Sequence, residues 1–455
     1  MIRPSTLRRL AVPSLLVFAL AACGTGGTET DGAPAGETTD DNVAEPSDDE
    51  TEDAGASGEL SGEITFTTLQ LSPDFDDYIN GVIADFEAQH PDTSVNWVDV
   101  PFEGAQERLL ADASAGTLAD VVNLNPDMAF PLASEGQFVD LDAAATDVRD
   151  DYVTGAWDSF RYPGLDGAYG YPWYLTSEVT MYNAALFEEA GLDPDVPPTT
   201  LEELHEAART IAAETDGFGM HPALENRFVI ELVKLGIDIT DEDATEATFN
   251  TPEAVAYVES FQRLYEEGAI SPDAVTEGHR QEIEAYQGGR IGLFPSGPNF
   301  LNIVEENAPD VAEHTRVAPQ VTGTAGVTGM SVMGLLVPTT TQQPEVAHAF
   351  AQFMTNGDNQ LAFADEVLVF PSIEAALQDA RFTEPDEDGD FAEAISTVAA
   401  QLPNAANLRP VVADDEVNQA IVANVQSAIL GDVSAEAALD AAESEVNAIL
   451  ARRAG

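Results

Sequence analysis

Early in the chain, segments with the hydrophobic period of a strand alternate with segments that have the period of a helix. Apolar side chains at every second position predict strands at 59–69 and 94–100, and a short apolar run predicts a third strand at 118–125. Apolar side chains at helical spacing predict helices within 72–91 and 102–116. The order strand, helix, strand, helix, strand predicts a parallel sheet that helices cover on both faces.

Strands and helices continue to the end of the sequence without a linker. Strand patterns recur at 290–297 and 331–338, a helix is predicted at 344–357, and two long amphipathic helices close the chain. Residues 61–455 suffice for two or three domain-sized units and contain no repeat of fixed period. We expect an α/β fold whose lobes are joined through ordered structure, which favours a hinge.

Polar residues follow two of the early predicted strands. In a parallel sheet covered by helices, ligands bind beyond the carboxyl ends of the strands. Here those ends are 68–70 and 123–127. Their polar side chains make Gln70, Asn125 and Asp127 candidate ligand contacts.

Acidic residues dominate the charge. The chain has 82 Asp and Glu against 17 Lys and Arg, with a net charge of −65, and Lys234 is its single lysine. Such a surface repels nucleic acid and anionic lipid, so neither is an expected partner. Because self-repulsion of this size destabilises a compact state unless salt screens it, we expect a salt-adapted host.

The N-terminal pattern predicts export. Arginines precede an apolar run at 10–20, which is too short to cross a bilayer as a helix and is typical of a signal peptide, here residues 1–22. Small residues before Cys23, the single cysteine, resemble a bacterial lipobox, in which the cysteine carries the lipid. The alternative is an ordinary signal peptide followed by a chance thiol. Lipidation of Cys23 would leave no thiol for a disulfide, a thiolate metal site or a nucleophile.

The segment after the cysteine has the composition of a tether. Residues 24–60 contain twelve acidic side chains and almost no large apolar ones. Such a segment buries too little surface to offset its chain entropy, so we expect 23–60 to be disordered and extended by like charges.

Five segments, in order along about 62–450, resemble the solute-binding lipoproteins of ABC importers. Within that family they are most similar to the carbohydrate-binding group that includes the maltose-binding proteins. The segments are FEAQHPDTSVNWVDV, GTLADVVNLNPDMAFPLASEGQFVDL, YGYPWYLTSEVTMYNAALFEEAGLDPDVPPTTLEEL, YQGGRIGLFPSGPNF and VQSAILGDVSAEAALDAAESEVNAIL.

The resemblance implies a periplasmic-binding-protein-like fold, in which each of two α/β lobes is a sheet flanked by helices. It places three crossings near 173–177, 329–332 and 369–373. A solute is clasped between the lobes, and the closed form docks on a membrane permease driven by an ATPase. The chain would then be an extracytoplasmic monomer anchored by its lipid, with no cofactor and no metal. The expected limits are 61–172 with 332–371 for lobe 1, and 173–331 with 372–455 for lobe 2.

In similar proteins, a proline followed by aromatic residues at the first crossing presents its rings to the cleft. A flat ring covers the C–H face of a sugar, while carboxylates, amides and guanidinium groups bond its hydroxyls. Trp173 and Tyr174 in YPWY are therefore the first choice as stacking rings. Two alternatives stay open: one ring faces the cleft while the other packs beneath it, or both are buried.

The same resemblance implies the other contacts. At 299 and 418 this chain has asparagine where relatives carry tryptophan, which indicates a smaller or more polar solute than a long maltodextrin. Met330, at the second crossing, fits a ligand contact and a hinge equally well. The full set of implied contacts is Trp173, Tyr174, Asp127, Asn125, Glu225, Arg227, Asn299, Phe300, Gln70, Met330 and Asn418.

Two rival functions remain. A secreted glycoside hydrolase needs paired carboxylates, which this sequence could supply anywhere, but it lacks the G-x-S-x-G and H-E-x-x-H motifs of other hydrolases. A binding protein for another solute class, such as a polyamine, a peptide or a phosphorylated compound, is the closer alternative. We expect a binding protein and no enzyme.

Overall fold

The computed structural model of the protein describes residues 59–385 and 389–454. The predictions for the signal peptide, for Cys23 and for nearly all of the tether lie outside these residues. The strands are β1 Ser61–Leu69, β2 Asp92–Val100, β3 Val121–Leu124, β4 Tyr171–Ser177, β5 Val179–Asn183, β6 Phe218–Met220, β7 Ile291–Ser296, β8 Thr315–Ala318, β9 Thr328–Leu336, β10 Phe370–Pro371 and β11 Ala405–Ala406.

Helices occupy most of the remaining described chain. They are α1 Asp76–Gln89, α2 Ala105–Ala115, α3 Pro126–Ser134, α4 Leu141–Ala144, α5 Thr154–Asp158, α6 Ala184–Glu189, α7 Leu201–Glu214, α8 Leu224–Lys234, α9 Pro252–Glu266, α10 His279–Gln287, α11 Asn299–Asn307, α12 Pro309–Ala312, α13 Pro344–Met354, α14 Gly357–Glu366, α15 Ala380–Thr383, α16 Asp390–Gln401, α17 Asp415–Ile429 and α18 Ala435–Ala454. Within the described ranges, none of them is both long and apolar enough to cross a membrane.

The larger sheet has the strand order β10-β4-β9-β3-β1-β2, with β11 paired to β9. Strand β1 pairs in parallel with β2 and with β3, as the early pattern predicts. Strands β9, β4 and β10 extend this parallel core with antiparallel pairs. The sequence pattern missed this extension because those pairings join segments far apart in the chain.

The smaller sheet has the order β6-β7-β5-β8, and three connections join it to the larger sheet. Strand β4 of the larger sheet passes directly into β5 of the smaller one, and β8 leads back into β9. After β10 the chain returns to the smaller sheet, where α16 packs on β5 and β8. We call the bodies built on the larger and smaller sheets lobe 1 and lobe 2, and their exact residue limits stay a prediction.

The C-terminal helices complete the core of lobe 2. Helices α17 and α18 pack on each other and on α9, and α17 also packs on α8. Apolar side chains of α17 and α18 at helical spacing, such as Ile421 and Leu439, are fully buried in this core. Removing them from water provides the stabilisation that holds these helices on the lobe.

The YPWY segment is strand β4 of lobe 1, and Trp173 is buried there. Its indole has no exposed surface and lies nearly parallel to the ring of Phe363, at a centroid distance of 5.3 Å. Phe66 packs against it edge-on. Tyr174 is partly buried and meets Phe363 edge-on at 5.3 Å. These contacts correct the expectation that Trp173 faces the cleft: β4 lies inside the sheet, between β9 and β10, and helix α14 covers this ring.

His205 on α7 is buried in the core of lobe 2. Its ring stacks on Tyr257 and its Nδ1 lies 3.1 Å from the Ser260 hydroxyl. Burial, together with smaller contributions from the charges of Arg209 and Arg263, lowers the pKa of His205 from 6.5 to about 3. The histidine is therefore neutral in the folded protein at neutral pH.

The position of His205 predicts a pH dependence of stability. Because the unfolded chain takes up this proton first, the folded state loses stability as the pH falls from 6.5 toward 3. The variant His205→Gln should lose less unfolding free energy than the parent between pH 7 and about pH 4.5. Urea denaturation at both pH values measures this, and equal losses in the two proteins would contradict it.

Candidate functional site

A cavity of about 500 Å³ lies where the strands connecting the two sheets meet. Its walls come from both lobes: the residues after β3, the link between β4 and β5, helices α8 and α10, the residues after β7, strand β9 and the segment 407–409. A volume of this size suits a small ligand. It also lies beyond the carboxyl ends of β3 and β7, where ligands of such sheets bind.

Lobe 1 contributes Asn125 and Asp127 to the cavity. The Asn125 side chain accepts a hydrogen bond of 2.8 Å from the backbone N–H of Met128 and caps α3, so this loop is held in place. Asp127 Oδ2 lies 3.5 Å from Nε of Arg409. Burial raises the pKa of Asp127, while Arg409 lowers it and Asp415 raises it again.

Arg227 on α8 is the charged centre of the lobe 2 wall. Its guanidinium group lies 3.0 Å from Glu178 Oε2 and 3.2 Å from Glu282 Oε2. Burial disfavours the charge of Arg227, but the surrounding carboxylates outweigh it and raise its pKa. Partial burial likewise opposes ionisation of Glu178, yet Arg227 holds the pKa of that carboxyl below its usual value. His279 Nδ1, 2.7 Å from Glu282 Oε2, completes the cluster.

Glu231 and Lys234 extend the same wall along α8. Both are buried, with exposed fractions of 6% and 7%. Burial raises the pKa of Glu231 and lowers that of Lys234. Lys234 Nζ donates a hydrogen bond of 3.0 Å to the carbonyl oxygen of Val321.

Several side chains that line the cavity have buried polar atoms without a hydrogen-bond partner among the described residues. Such atoms are costly, and each one calls for an explanation. A solute with several polar groups would supply the missing partners. The atoms are Asp127 Oδ1, Arg227 Nε, Glu282 Oε1 and Ser296 Oγ.

Aromatic side chains contribute little to the walls. Phe300, His221 and His279 line the cavity, but no Trp or Tyr side chain of the described ranges does. Trp173 and Tyr174 therefore lie outside it. Polar groups, more than flat rings, set the character of this site.

The structure brings six of the predicted contacts to this cavity, and whether they touch a solute stays a prediction. Three others, Gln70, Glu225 and Asn418, do not line it. Gln70 is exposed. Asn418 Nδ2 donates a hydrogen bond of 2.8 Å to the backbone carbonyl oxygen of Glu225. The six that line the cavity are Asn125, Asp127, Arg227, Asn299, Phe300 and Met330.

Sequence reasoning missed the charged residues that surround Arg227. A signal for two of them was available, because positions 227, 231 and 234 are charged and lie at helical spacing on an otherwise apolar face of α8. No comparable local signal marks Glu178 or Glu282. Their role depends on the folded chain bringing the link between β4 and β5, and helix α10, to Arg227.

Residues 72–361 match the family described as bacterial extracellular solute-binding protein. The fold is similar to a crystal structure from Synechococcus sp. MITs9220 of a periplasmic-binding protein provisionally assigned to oligosaccharides. That chain is 32% identical, with a TM-score of 0.74 over 86% of this chain and 99% of the other.

Two more distant relatives are also solute-binding proteins by name. The cyclic alpha-maltosyl-1,6-maltose binding protein of Arthrobacter globiformis is 24% identical, with a TM-score of 0.70 over 86% of this chain and 99% of that one. The galactooligosaccharide-binding protein of Bacillus subtilis (strain 168) is 24% identical over 66% of this chain and 71% of its own length. The predicted α/β fold is thereby confirmed, and the chain belongs to the bacterial extracellular solute-binding protein family.

Proposed function

We propose that this protein binds a saccharide in the cavity between its lobes and delivers it to an ABC importer. The observation that carries the proposal is the set of partnerless polar atoms from both lobes around one cavity. A polyhydroxylated solute offers each of them a partner. The family assignment and the relatives named above for oligosaccharides point the same way.

The cavity walls suggest how binding would close the protein. Asn125 and Asp127 belong to lobe 1, whereas Arg227 and Ser296 belong to lobe 2. A solute that bonds both sets binds the closed arrangement more tightly than an open one, and it therefore shifts the population toward closure. The closed form would then be the one that docks on the permease.

A thermal-shift panel tests the proposal. Mono-, di- and oligosaccharides, polyols and spermidine are each added to the protein at molar salt. A saccharide at about 100 times its Kd should add roughly 2.7 kcal/mol to the unfolding free energy. A shift with spermidine and with no saccharide would favour the rival solute class. Cleavage of an oligosaccharide during incubation would instead identify a hydrolase.

The proposed location is the outer face of the cell membrane, since the family is extracellular. Cys23 would hold the lipid there and 23–60 would act as the tether, leaving a monomeric body free to reach the permease. Replacing residues 1–23 with an ordinary cleavable signal peptide, which removes Cys23, should release the protein from the membrane of a producing bacterium. Retention of that variant at the membrane would contradict the anchor.

A further inference from the structure

Four residues at the connections between the two sheets form a closed ring of hydrogen bonds, which we call the connection ring. They are Ser177 at the end of β4, Gln320 after β8, Gly329 in β9 and Gln401 at the end of α16. Ser177 and Gln320 are buried, with exposed fractions of 6% and 5%. Two of the three connections between the lobes therefore meet the end of α16 at one point.

Side chains close the connection ring. Ser177 Oγ donates a hydrogen bond of 2.6 Å to the carbonyl oxygen of Gly329, whose N–H donates to Gln320 Oε1. Gln401 Nε2 donates to Ser177 Oγ at 3.0 Å. Gln401 Oε1 accepts a bond of 3.3 Å from the backbone N–H of Gln320. The amide of Gln401 thus joins the β4–β5 connection to the β8–β9 connection.

The connection ring also supports the wall of the cavity. Gln401 Nε2 donates a second hydrogen bond, of 2.7 Å, to the carbonyl oxygen of Glu178. The carboxylate of Glu178 in turn lies 3.0 Å from Arg227. Gln401 does not line the cavity, so it acts on the wall from behind. The residues that it supports, directly or through the ring, do line it: Ser177, Glu178, Gln320 and Gly329.

The bonding capacity of Gln401 is fully used. A primary amide carries two N–H donors and an acceptor oxygen. Here the donors bond Ser177 and Glu178 in one connection, and the oxygen bonds Gln320 in the other. An apolar side chain of the same length would fill the space, but it would open the ring and leave the Glu178 carbonyl without this donor. The pattern indicates that Gln401 fixes geometry and does more than fill space.

We propose that Gln401 is a positioning residue for solute binding, because it holds the two connections in register so that the lobes close with both halves of the cavity aligned. The inference rests on the proposed saccharide function. With the ring open, the connections move relative to each other, and fewer molecules bring Asp127 of lobe 1 and Arg227 of lobe 2 to one solute. The apparent Kd rises in inverse proportion to the competent fraction.

A matched pair of glutamine variants tests this inference. Gln401→Met opens the ring. Gln262→Met is the control, because Gln262 is equally classed as partly buried and its Nε2 donates a bond of 2.8 Å to the carbonyl oxygen of Ala428 within lobe 2. Both variants should lose a similar, small amount of unfolding free energy.

Calorimetric titration compares the two variants with the parent. Glucose, galactose, maltose and lactose are titrated into the full mature chain, and the sugar that binds the parent most tightly is used. Its Kd should rise by about 10-fold or more in Gln401→Met and by less than about 2-fold in Gln262→Met. A Kd for Gln401→Met within about 2-fold of the parent would overturn the inference and leave the saccharide function standing.

X-ray scattering separates lobe positioning from a local effect on the wall. The radius of gyration of solute-free Gln401→Met should exceed that of the parent, whereas Gln262→Met should keep the parent value. Equal radii in all three proteins would overturn the inference even if Kd rises, because the loss would then be local. If none of the four sugars binds the parent, the saccharide function loses its support and scattering still decides the role of the ring. Should Gln401→Met fail to fold, Ser177→Ala opens the same ring and takes its place.

Discussion

Replacing Arg227 with alanine should lower the free energy of unfolding by about 3–5 kcal/mol. The arginine lies between Glu178 and Glu282, and Glu282 has no exposed surface. Removing the cation leaves a buried carboxylate without its counter-charge, which costs more than the pair contributes. Solute binding should be lost as well, because the cavity loses the centre of its lobe 2 wall. Denaturation by urea at molar salt measures the first effect, and calorimetric titration measures the second.

An exposed ion pair provides the control. Arg108 and Asp112 are 3.6 Å apart on α2, with exposed side-chain fractions of 57% and 38%. Arg108→Ala should change the unfolding free energy by less than about 1 kcal/mol. Combining Arg227→Ala with Glu282→Gln should restore part of the lost stability, since the uncompensated charge is then gone. A loss below about 1 kcal/mol for Arg227→Ala would contradict the account of this cluster.

Replacing Trp173 with alanine should also destabilise the protein, by about 3–5 kcal/mol. The indole is completely buried and packs against Phe363 and Phe66, so its removal leaves a large cavity in the core of lobe 1. The substitution should lower the free energy of unfolding without weakening solute binding. The urea midpoint should fall sharply, while solute affinity of the folded fraction stays near that of the parent.

Trp173→Phe distinguishes packing of the ring in the core from stacking of the ring on a solute. Phenylalanine keeps a ring in the core, in the place where the indole packs against Phe363 and Phe66. The Kd for the solute should change by less than about 2-fold. A rise of about 10-fold or more in Kd, with the thermal midpoint preserved, would return Trp173 to the binding site and contradict its placement here.

Local pattern was enough to predict the first half of lobe 1. The strands predicted at 59–69, 94–100 and 118–125 correspond to β1, β2 and β3, and they pair in parallel. Alternation works for β1, where buried residues alternate with less buried ones, and the apolar run works for β3, which is buried throughout. The predicted helix at 344–357 ends three residues early, and α14 follows after Asn356.

The aromatic segment shows where local pattern fails. YPWY carries rings that suit either a core or a binding cleft, and the sequence left both readings open. The outcome depends on β9 and β10, which pair with β4 from more than 150 residues away. Phe363, the ring that stacks on Trp173, is equally remote. Contacts at such separations leave no periodic signal in the sequence.

The candidate site, too, was only partly predictable from the sequence. Asn125 and Asp127 were predicted from their position after a strand, and Arg227, Asn299, Phe300 and Met330 were predicted from the family resemblance. All six line the cavity. The resemblance also suggested Glu225 and Asn418, which lie outside it. The carboxylates that define the cavity chemistry escaped notice, because this chain has 82 acidic residues and their meaning depends on burial.

A cavity-blocking variant tests the central claim most directly. Ser331 on β9 is exposed and lines the cavity, so a tryptophan there fills the space without disturbing the core. Calorimetric titration with the tightest saccharide should show one site per chain in the parent protein. For Ser331→Trp, at an unchanged thermal midpoint, we expect Kd to rise by about 10-fold or more. Binding by Ser331→Trp with the affinity of the parent would contradict the assignment of this cavity as the solute site.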